Sequence, residues 1–327
     1  MNINVKSSKR NYNIFIKNNL LDNLKDYLDM NKFYIIITDN QIPSIYIKKV
    51  SSYCKNNHII RFPAGEKSKS IEQYKIIIEE LIAKQVKRDA IIIALGGGVT
   101  GDLAGFVAAT LYRGVDYIQI PTSLLAQIDS SIGGKVAINS QSIKNAIGSF
   151  YPPIKVLIDP TTLTSLPKRH FNNGMAEMIK YGMIYSNDFF EEIKSSNVTE
   201  NIEYFIYKSL RIKKHFVESD EYDQNFRQIL NFGHTFGHAY EAYYNYEKYL
   251  HGEAISLGML KMVNNEIKSS LINLLKKYEL PTTDSAPKKD LIKLIKHDKK
   301  NTTEYINLIY VDQIGKGYIK KTKIIDL

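Results

Sequence analysis

The sequence predicts an α/β protein: an N-terminal Rossmann-like domain built on a parallel sheet, followed by a mostly α-helical C-terminal domain. Three observations carry this. Between residue 11 and about residue 159, short β-branched runs alternate with segments of helical period, the pattern of parallel strands joined by crossover helices. One of those runs, AIIIAL (90–95), leads directly into Gly96, Gly97 and Gly98 and then into another helical segment. After Asp159-Pro160 the strand signal nearly vanishes. At 327 residues the chain is also longer than one core comfortably serves, so two domains are expected, 1–159 and 160–327, with ligands in the cleft between them.

Taken in order, YIIIT (34–38) reads as a strand and PSIYIKKVSSY (43–53) as a helix with proline at its start. HIIRF (58–62) is a second short strand. The segment 70–86, SIEQYKIIIEELIAKQV, places apolar residues three and four apart behind a serine cap and predicts a helix. AIIIAL is a buried strand, GDLAGFVAATLY carries the next helix, DYIQIP (116–121) is a strand, and KVLID (155–159) is the last strand of this sheet. Residues 160 to about 300 read as consecutive helices broken at Pro167, Gly174, the 218–226 loop, the 245–250 loop and Pro281. The tail, YINLIYV–DQIGKGY–IKK, predicts a small hairpin.

Composition narrows the function classes. Hydrophobic residues make up 44% and charged residues 24%, so an ordinary soluble globular protein is expected. There is no run of eighteen apolar residues, and MNINVKSSKRNYN has no apolar signal region, so neither a membrane span nor secretion is expected. The one cysteine, Cys54, excludes an intrachain disulfide and a thiolate-rich metal site; a cytoplasmic protein follows. The formal charge of +10 invites a nucleic-acid reading. The lysine excess, however, runs through the whole chain beside abundant Ile, Asn and Tyr, and is dense only at Lys288, Lys289, Lys293, Lys296, Lys299 and Lys300, where a solvated helix face accounts for it. No nucleic-acid partner is expected, and a basic pocket for an acidic small molecule fits equally well.

The densest chemistry lies in Arg227–Glu253, RQILNFGHTFGHAYEAYYNYEKYLHGE. His234 and His238 are one helical turn apart, and on a continuous helix Arg227 and Asn231 would share their face. His251 follows after a Tyr- and Asn-rich turn. A guanidinium, an amide and imidazoles suit a hydroxylated anion better than a core, and with a carboxylate from elsewhere the histidines could hold a divalent ion such as zinc. In GMAEMIKYG (174–182), Glu177 and Lys180 stand three apart. They form either an ordinary ion pair or, in their apolar setting, a carboxylate ligand completing His234 and His251. GGGVTGD (96–102) at a strand–helix junction is either a phosphate cradle or a tight turn; it is neither GxGxxG nor a P-loop. PTSLLAQIDSSIGGKVAIN (121–139) gathers Thr122, Ser123, Asp129 and Lys135 around Gly133-Gly134, with Lys144 and Asn145 soon after, a polar density beyond what a loop needs.

Together, GGGVTGDLAGFVAATLYRG, QIPTSLLAQIDSSIGGKVAIN, GMAEMIKYG, LNFGHTFGHAYE and LHGEAISLGM closely resemble the 3-dehydroquinate synthase family, the second enzymes of the shikimate pathway, over nearly the whole chain. The resemblance implies a homodimeric, NAD- and metal-dependent lyase with Glu177, His234 and His251 as ligands to zinc or cobalt. It implies NAD contacts from Asp39, Glu66 and Lys69 of PAGEKSKS, from Gly97, Gly98, Val99 and Asp102, and from Thr122, Ser123, Lys135, Lys144, Thr162 and Ser165. Asp129, Lys135, Asn145, Lys180, Lys213, Arg227, Asn231 and Lys299 would hold substrate, His238 would handle a proton or substrate, and Arg113 would reach the neighbouring subunit.

The implied reaction converts 3-deoxy-D-arabino-heptulosonate 7-phosphate to 3-dehydroquinate and phosphate. Transient oxidation at C5 by NAD acidifies the C6 proton, phosphate is eliminated, the hydride returns, and ring opening with intramolecular aldol closure follows. Alternatives are a valiolone- or inosose-type sugar phosphate cyclase, a metal-dependent polyol dehydrogenase, a basic nucleic-acid-binding protein, and a catalytically dead structural subunit. The chain departs from the family pattern in a segment between Gly258 and Pro281 about a dozen residues shorter than usual, and in Lys214 and His215, which replace small residues beside Lys213.

Overall fold

The computed structural model describes residues 1–141, 143–298 and 304–324, and the chain divides into two compact units, Met1–Leu166 and Pro167–Leu327. The first opens with an antiparallel pair that the sequence pattern did not reveal, β1 (Asn2–Val5) and β2 (Tyr12–Ile16). Then come β3 (Phe33–Asp39), α1 (Ser44–Tyr53), β4 (Asn56–Phe62), α2 (Ile71–Ala83), β5 (Ile91–Gly96), α3 (Gly98–Thr110) and β6 (Asp116–Pro121). A small antiparallel pair, β7 (Lys135–Ile138) and β8 (Ile147–Phe150), precedes β9 (Lys155–Ile158).

The main sheet has the order β1-β2-β9-β6-β5-β3-β4. Every pairing is parallel except that of β1 with β2. Successive residues of a strand face opposite sides, and β3 feeds both faces: Ile35 and Ile37 join a core with α2 and α3, whereas Tyr34 and Ile36 join one with Leu20, Leu24 and α1. Both faces are therefore covered, as a parallel sheet requires. Chain order reverses at β3, with β4 on one side of it and β5 on the other. In open α/β sheets that switch point opens a crevice at the carboxyl ends of the strands. The helix predicted behind Ser70 forms as α2, and the Ser70 hydroxyl accepts the Gln73 N–H at 3.1 Å.

Leu166–Pro167 marks the division, seven residues beyond Asp159-Pro160, because a short 3-10 helix, Pro160–Ser165, is tied to the first unit. The Asp159 carboxylate accepts the backbone N–H groups of Asn19 and Leu21 at 3.0 Å, and the fully buried Gln127 amide donates to Pro121 O, Asp159 O and Thr162 Oγ1.

The second unit comprises α4 (Lys168–Tyr185), α5 (Asn187–Ser195), α6 (Ile202–Ser219), α7 (His234–Tyr243), α8 (His251–Met259), α9 (Asn265–Lys277) and α10 (Lys288–Asp298). It ends in the hairpin anticipated from sequence, β10 (Tyr305–Gln313) with β11 (Lys316–Lys323). The break expected at Gly174 is absent. Gly174 is buried inside the continuous α4, where packing outweighs an intrinsic helix cost of about 1 kcal/mol. Lys214 and His215, beside Lys213, are accommodated locally. Lys214 pairs with Glu218 at 2.5 Å, and His215 packs edge-on against Phe226 at 5.6 Å between ring centres. Among the described residues no helix is long and apolar enough to cross a membrane.

Between α9 and α10, Asp284 pins the chain to the α7–α8 connection. Its carboxylate, wholly shielded from solvent, accepts from Tyr249 Oη at 2.6 Å, Lys248 Nζ at 2.8 Å, Tyr244 Oη at 3.1 Å and the Ala286 N–H at 2.7 Å. Burial alone would raise its pKa. The Lys248 ammonium, the Tyr249 hydroxyl and the Ala286 N–H outweigh burial and hold it down at about 2, against an ordinary 3.8. A depressed carboxyl stabilises the folded state fully above its unfolded pKa and loses that contribution as pH falls through the folded value. Wild type is therefore expected to melt above Asp284→Asn at pH 5 and higher, with the gap narrowing as pH drops from about 4 toward about 2. Thermal melts across that range check it, and a gap that does not change with pH would remove the carboxylate as its cause.

Candidate active site

Three helices of the second unit bring their functional side chains together because glycines let their backbones approach. A Cβ on Gly252 would lie 2.0 Å from Asn173 O on α4, and one on Gly258 would lie 1.9 Å from Gly233 O at the start of α7. The Gly252 N–H also donates to Asn173 Oδ1 at 2.6 Å, fixing the start of α8 against α4. Glu177, His234 and His251 consequently converge. Glu177 Oε1 lies 3.7 Å from His234 Nε2 and 3.6 Å from His251 Nε2, and the three candidate donor atoms all fall within 4.8 Å of one another. The His234 and His251 rings are 5.2 Å apart, and His238 is 5.5 Å from the first and 6.0 Å from the second.

Each donor is conditioned by its surroundings. Glu177 and Lys180 are 0% and 2% exposed and form an ion pair inside α4. His234 Nδ1 sits 3.2 Å from Phe232 O. A carbonyl only accepts, so this nitrogen carries the proton and Nε2 presents a lone pair toward Glu177. Burial, and then the Lys180 ammonium, hold His234 well below the ordinary imidazole range, so the ring is neutral. His251 behaves oppositely. Burial disfavours its charged form, but the carboxylates of Glu177 and Glu241, one at each ring nitrogen, outweigh burial and push it up to about 10. Two imidazole nitrogens and one carboxylate oxygen, each oriented from behind, are the donor set of a catalytic zinc-type site that keeps open positions. The residues fit a divalent cation.

The sequence placed Arg227, Asn231, His234 and His238 on one helical face, and the structure corrects this. Phe226–Asn231 is a 3-10 helix, Gly233 takes a left-handed conformation (φ 80°), and α7 begins only at His234. Arg227 is buried, with Nη1 donating to Glu221 O at 2.7 Å, and Asp220 gathers the N–H groups of Gln224, Asn225 and Arg227. Asn231, His234 and His238 nevertheless line one cavity of about 450 Å³, with Thr235 and, from the hairpin, Asn307 and Lys321. Lys213 is buried on α6. Lys299 lies outside the described residues. Sequence reasoning missed Arg169, whose guanidinium grips Glu253 through two 2.7 Å contacts and donates to Lys248 O at 2.9 Å. Glu253 in turn accepts the Leu250 N–H at 2.8 Å, so α8 starts, and His251 is presented, under Arg169's control.

In the first unit several of the residues expected to contact NAD lie at the carboxyl ends of β3, β5 and β6. Asp39 ends β3, and its carboxylate accepts Thr100 Oγ1 from α3 at 3.1 Å. Gly97 and Gly98 lead from β5 into the first turn of α3, which also holds Val99, so the N–H groups of that helix N-terminus stand at the carboxyl end of β5. Thr122 and Ser123 follow the end of β6, and the Thr122 N–H reaches Gly96 O at 3.0 Å. Lys69, 4% exposed, holds Asp102 at 2.7 Å, Asn145 Oδ1 at 2.5 Å and Glu66 at 3.7 Å. Burial opposes its charge, yet Asp102 and Glu66 outweigh burial and raise its pKa, so the ammonium persists.

The polar stretch 121–139 contains a π-helical turn (Ala126–Ser130) bearing Asp129, and then β7, whose first residue, Lys135, is exposed. Lys144 is half-buried and Asn145 takes a left-handed conformation (φ 55°). Ser165 Oγ accepts from Tyr46 Oη at 3.0 Å, and Thr162 is interior, its hydroxyl accepting from Gln127 Nε2 and donating to Asp159 O. Arg113 sits in a turn where Tyr112 and Arg113 both have positive φ (51° and 65°), a strained geometry of the kind that recurs at functional sites.

The amino-acid sequence matches the family models for the 3-dehydroquinate synthase N-terminal region over residues 59–173 and its C-terminal region over 174–301. The chain belongs to the 3-dehydroquinate synthase family. A 3-dehydroquinate synthase of Clostridium botulinum (strain Alaska E43 / Type E3) is 41% identical over 98% of this chain and 97% of its own. Among solved structures, a 2-deoxy-scyllo-inosose synthase complexed with carbaglucose-6-phosphate, NAD+ and Co2+ superposes with a TM-score of 0.90 at 27% identity, covering 99% of this chain and 97% of its own. The 2-epi-5-epi-valiolone synthase of Streptomyces hygroscopicus subsp. jinggangensis 5008, with NAD+ and Zn2+ bound, shares the fold at a TM-score of 0.86 and 24% identity, over 96% and 94% of the two chains. The family assignment thus agrees with the resemblance drawn from the motifs.

Proposed function

We infer that this chain is a 3-dehydroquinate synthase. It takes 3-deoxy-D-arabino-heptulosonate 7-phosphate to 3-dehydroquinate and inorganic phosphate as a carbon–oxygen lyase that depends on NAD and one divalent metal, zinc or cobalt. The observation that carries the reading is the convergence of Glu177, His234 and His251 from three helices, in a chain of this family. The inosose synthase neighbour holds NAD+ and Co2+, and the donor set here suits the same pair of groups. When bound, NAD supplies a reversible hydride acceptor and the metal a Lewis acid that polarises a hydroxyl.

This chain's own residues then bind, orient and move protons. Glu177, His234 and His251 hold the metal in the second unit. In the first, Asp39 and the N–H groups at Gly97–Val99 receive the nucleotide, with Glu66, Lys69, Asp102, Thr122, Ser123, Lys144, Thr162 and Ser165 around it. Buried Lys180, Lys213 and Arg227, with Asn231, favour a substrate bearing both carboxylate and phosphate. The carboxylate argues against valiolone- and inosose-type substrates, which lack it. Asp129, Lys135 and Asn145 retain substrate contacts in this proposal. His238, solvent-exposed on α7 and lining the cavity with Asn231 and His234, can hold or pass a proton as phosphate leaves. A cytoplasmic homodimer completes the proposal, with Arg113 entering the neighbouring subunit's site; a monomer in sedimentation equilibrium at assay concentration would remove Arg113 from it.

The deciding experiment supplies the heptulosonate phosphate, catalytic NAD and zinc or cobalt to the purified protein. Phosphate release with no net NADH is the expected result. Net NADH accumulation would mark a polyol dehydrogenase instead, and salt-sensitive polyanion binding without phosphate release would mark a nucleic-acid-binding protein.

A further inference from the structure

Glu241 lies on the histidine-bearing face of α7, seven residues after His234 and three after His238. It is a carboxylate only 4% exposed. The chain leaves α7 through Asn245 and Tyr246, both in left-handed conformations (φ 52° and 60°), with the Tyr246 N–H bonded to Glu241 O at 2.8 Å. It returns at α8 so that Glu241 Oε1 stands 3.7 Å from His251 Nδ1, the ring nitrogen remote from Glu177. His251 is therefore flanked by carboxylates on both sides, whereas His234 has a neutral carbonyl at its Nδ1.

We propose that Glu241 is a positioning residue of the metal centre: it holds the His251 Nδ1–H, fixes the ring's tautomer and aims the Nε2 lone pair at the ion. This depends on the metal-binding reading of Glu177, His234 and His251. An imidazole ligand whose distal N–H meets a carboxylate is both oriented and made a stronger donor. Glu241 also supplies charge. With two neutral imidazoles and the Lys180 ammonium nearby, Glu177 alone leaves a dication poorly compensated, and a second buried carboxylate reduces the excess. The competing assignment is to His238, which also groups with Glu241 and His251 within 4.8 Å. Under that assignment Glu241 would tune proton handling and leave metal affinity unchanged.

The test measures metal binding directly. Wild type, Glu241→Gln and Glu241→Asp are stripped with a chelator and titrated with Zn2+ against a chromophoric competitor, then with Co2+ while the visible spectrum is recorded. Glu241→Gln keeps shape but not charge. It is expected to bind zinc about 10–100-fold more weakly with an altered cobalt spectrum, and the metal-free variant should melt below wild type, because the His251 ring loses one of its two carboxylate neighbours. Glu241→Asp should recover part of the affinity. Wild-type zinc affinity together with an unchanged cobalt spectrum in Glu241→Gln overturns the proposal, and a fall in turnover alone would then assign Glu241 to His238. Should Glu241→Gln fail to fold, the Glu241→Asp cobalt spectrum decides in the same way. Wild type that takes up no metal removes the metal-binding reading itself, a result distinct from a wild type that binds metal as tightly as the variant.

Discussion

Replacing His234 with alanine is expected to strip the protein of its metal and to lower turnover about a thousand-fold or more, while the fold survives. The first half follows from geometry. His234 Nε2 is one of three converging donors, its Nδ1 proton is committed to Phe232 O, and burial with Lys180 keeps the ring neutral, so its lone pair has no function in packing. A carboxylate and one imidazole remain in the variant, too few to retain a divalent ion in competition with water. Loss of a Lewis acid worth several kcal/mol corresponds to the stated rate loss at 1.36 kcal/mol per tenfold. The second half follows from what the side chain does for stability. It contributes one hydrogen bond to a carbonyl, net about 1 kcal/mol. Metal content per chain, phosphate release and a thermal melt separate the two effects. Retention of one metal per chain with wild-type turnover would take His234 out of the ligand set.

What the sequence could and could not disclose divides by the range of the interaction. Ser70 announces α2 because a cap and its N–H lie three residues apart. The run AIIIAL into Gly96–Gly98 announces the strand, the turn and the helix because all three are local. Gly233 carried no such mark. A glycine within a helical-period run is compatible with a continuous helix or with a left-handed break, and only the close passage of Gly258 against Gly233 decides for the break. Strands of four residues, β1, β7 and β8, are too short for alternation to stand out from a polar loop. Spacing alone paired His234 with His238, yet the carboxylate of Glu177 lies against His234 and His251. That contact depends on how α4 packs against α8. Arg169 gave no local signal at all, since its partner Glu253 is 84 residues away. Glu241 was legible in principle, at helical spacing from both histidines in GHTFGHAYE, but a lone glutamate on a helix carries little information until its burial is known.

Glu177 and Lys180 allow ligation and stability to be measured apart, and the expected effect on stability is large. Both side chains are buried within one turn of α4. Glu177→Gln leaves the Lys180 ammonium desolvated without its carboxylate, and removing one member of such a pair costs about 3–5 kcal/mol. The same change removes the one carboxylate donor, so metal is lost as well. Adding Lys180→Met withdraws the stranded charge and substitutes an apolar chain of similar length. Replacing a whole buried pair is often neutral or better, so the double variant should regain most of the stability while still binding no metal. Denaturant melts of chelator-stripped wild type, both single variants and the double variant complete the cycle, and metal content is read on each. Stability that does not return in the double variant would mean that Glu177 supports α4 through contacts other than Lys180. Metal retained by Glu177→Gln would mean that the two imidazoles find their third donor elsewhere.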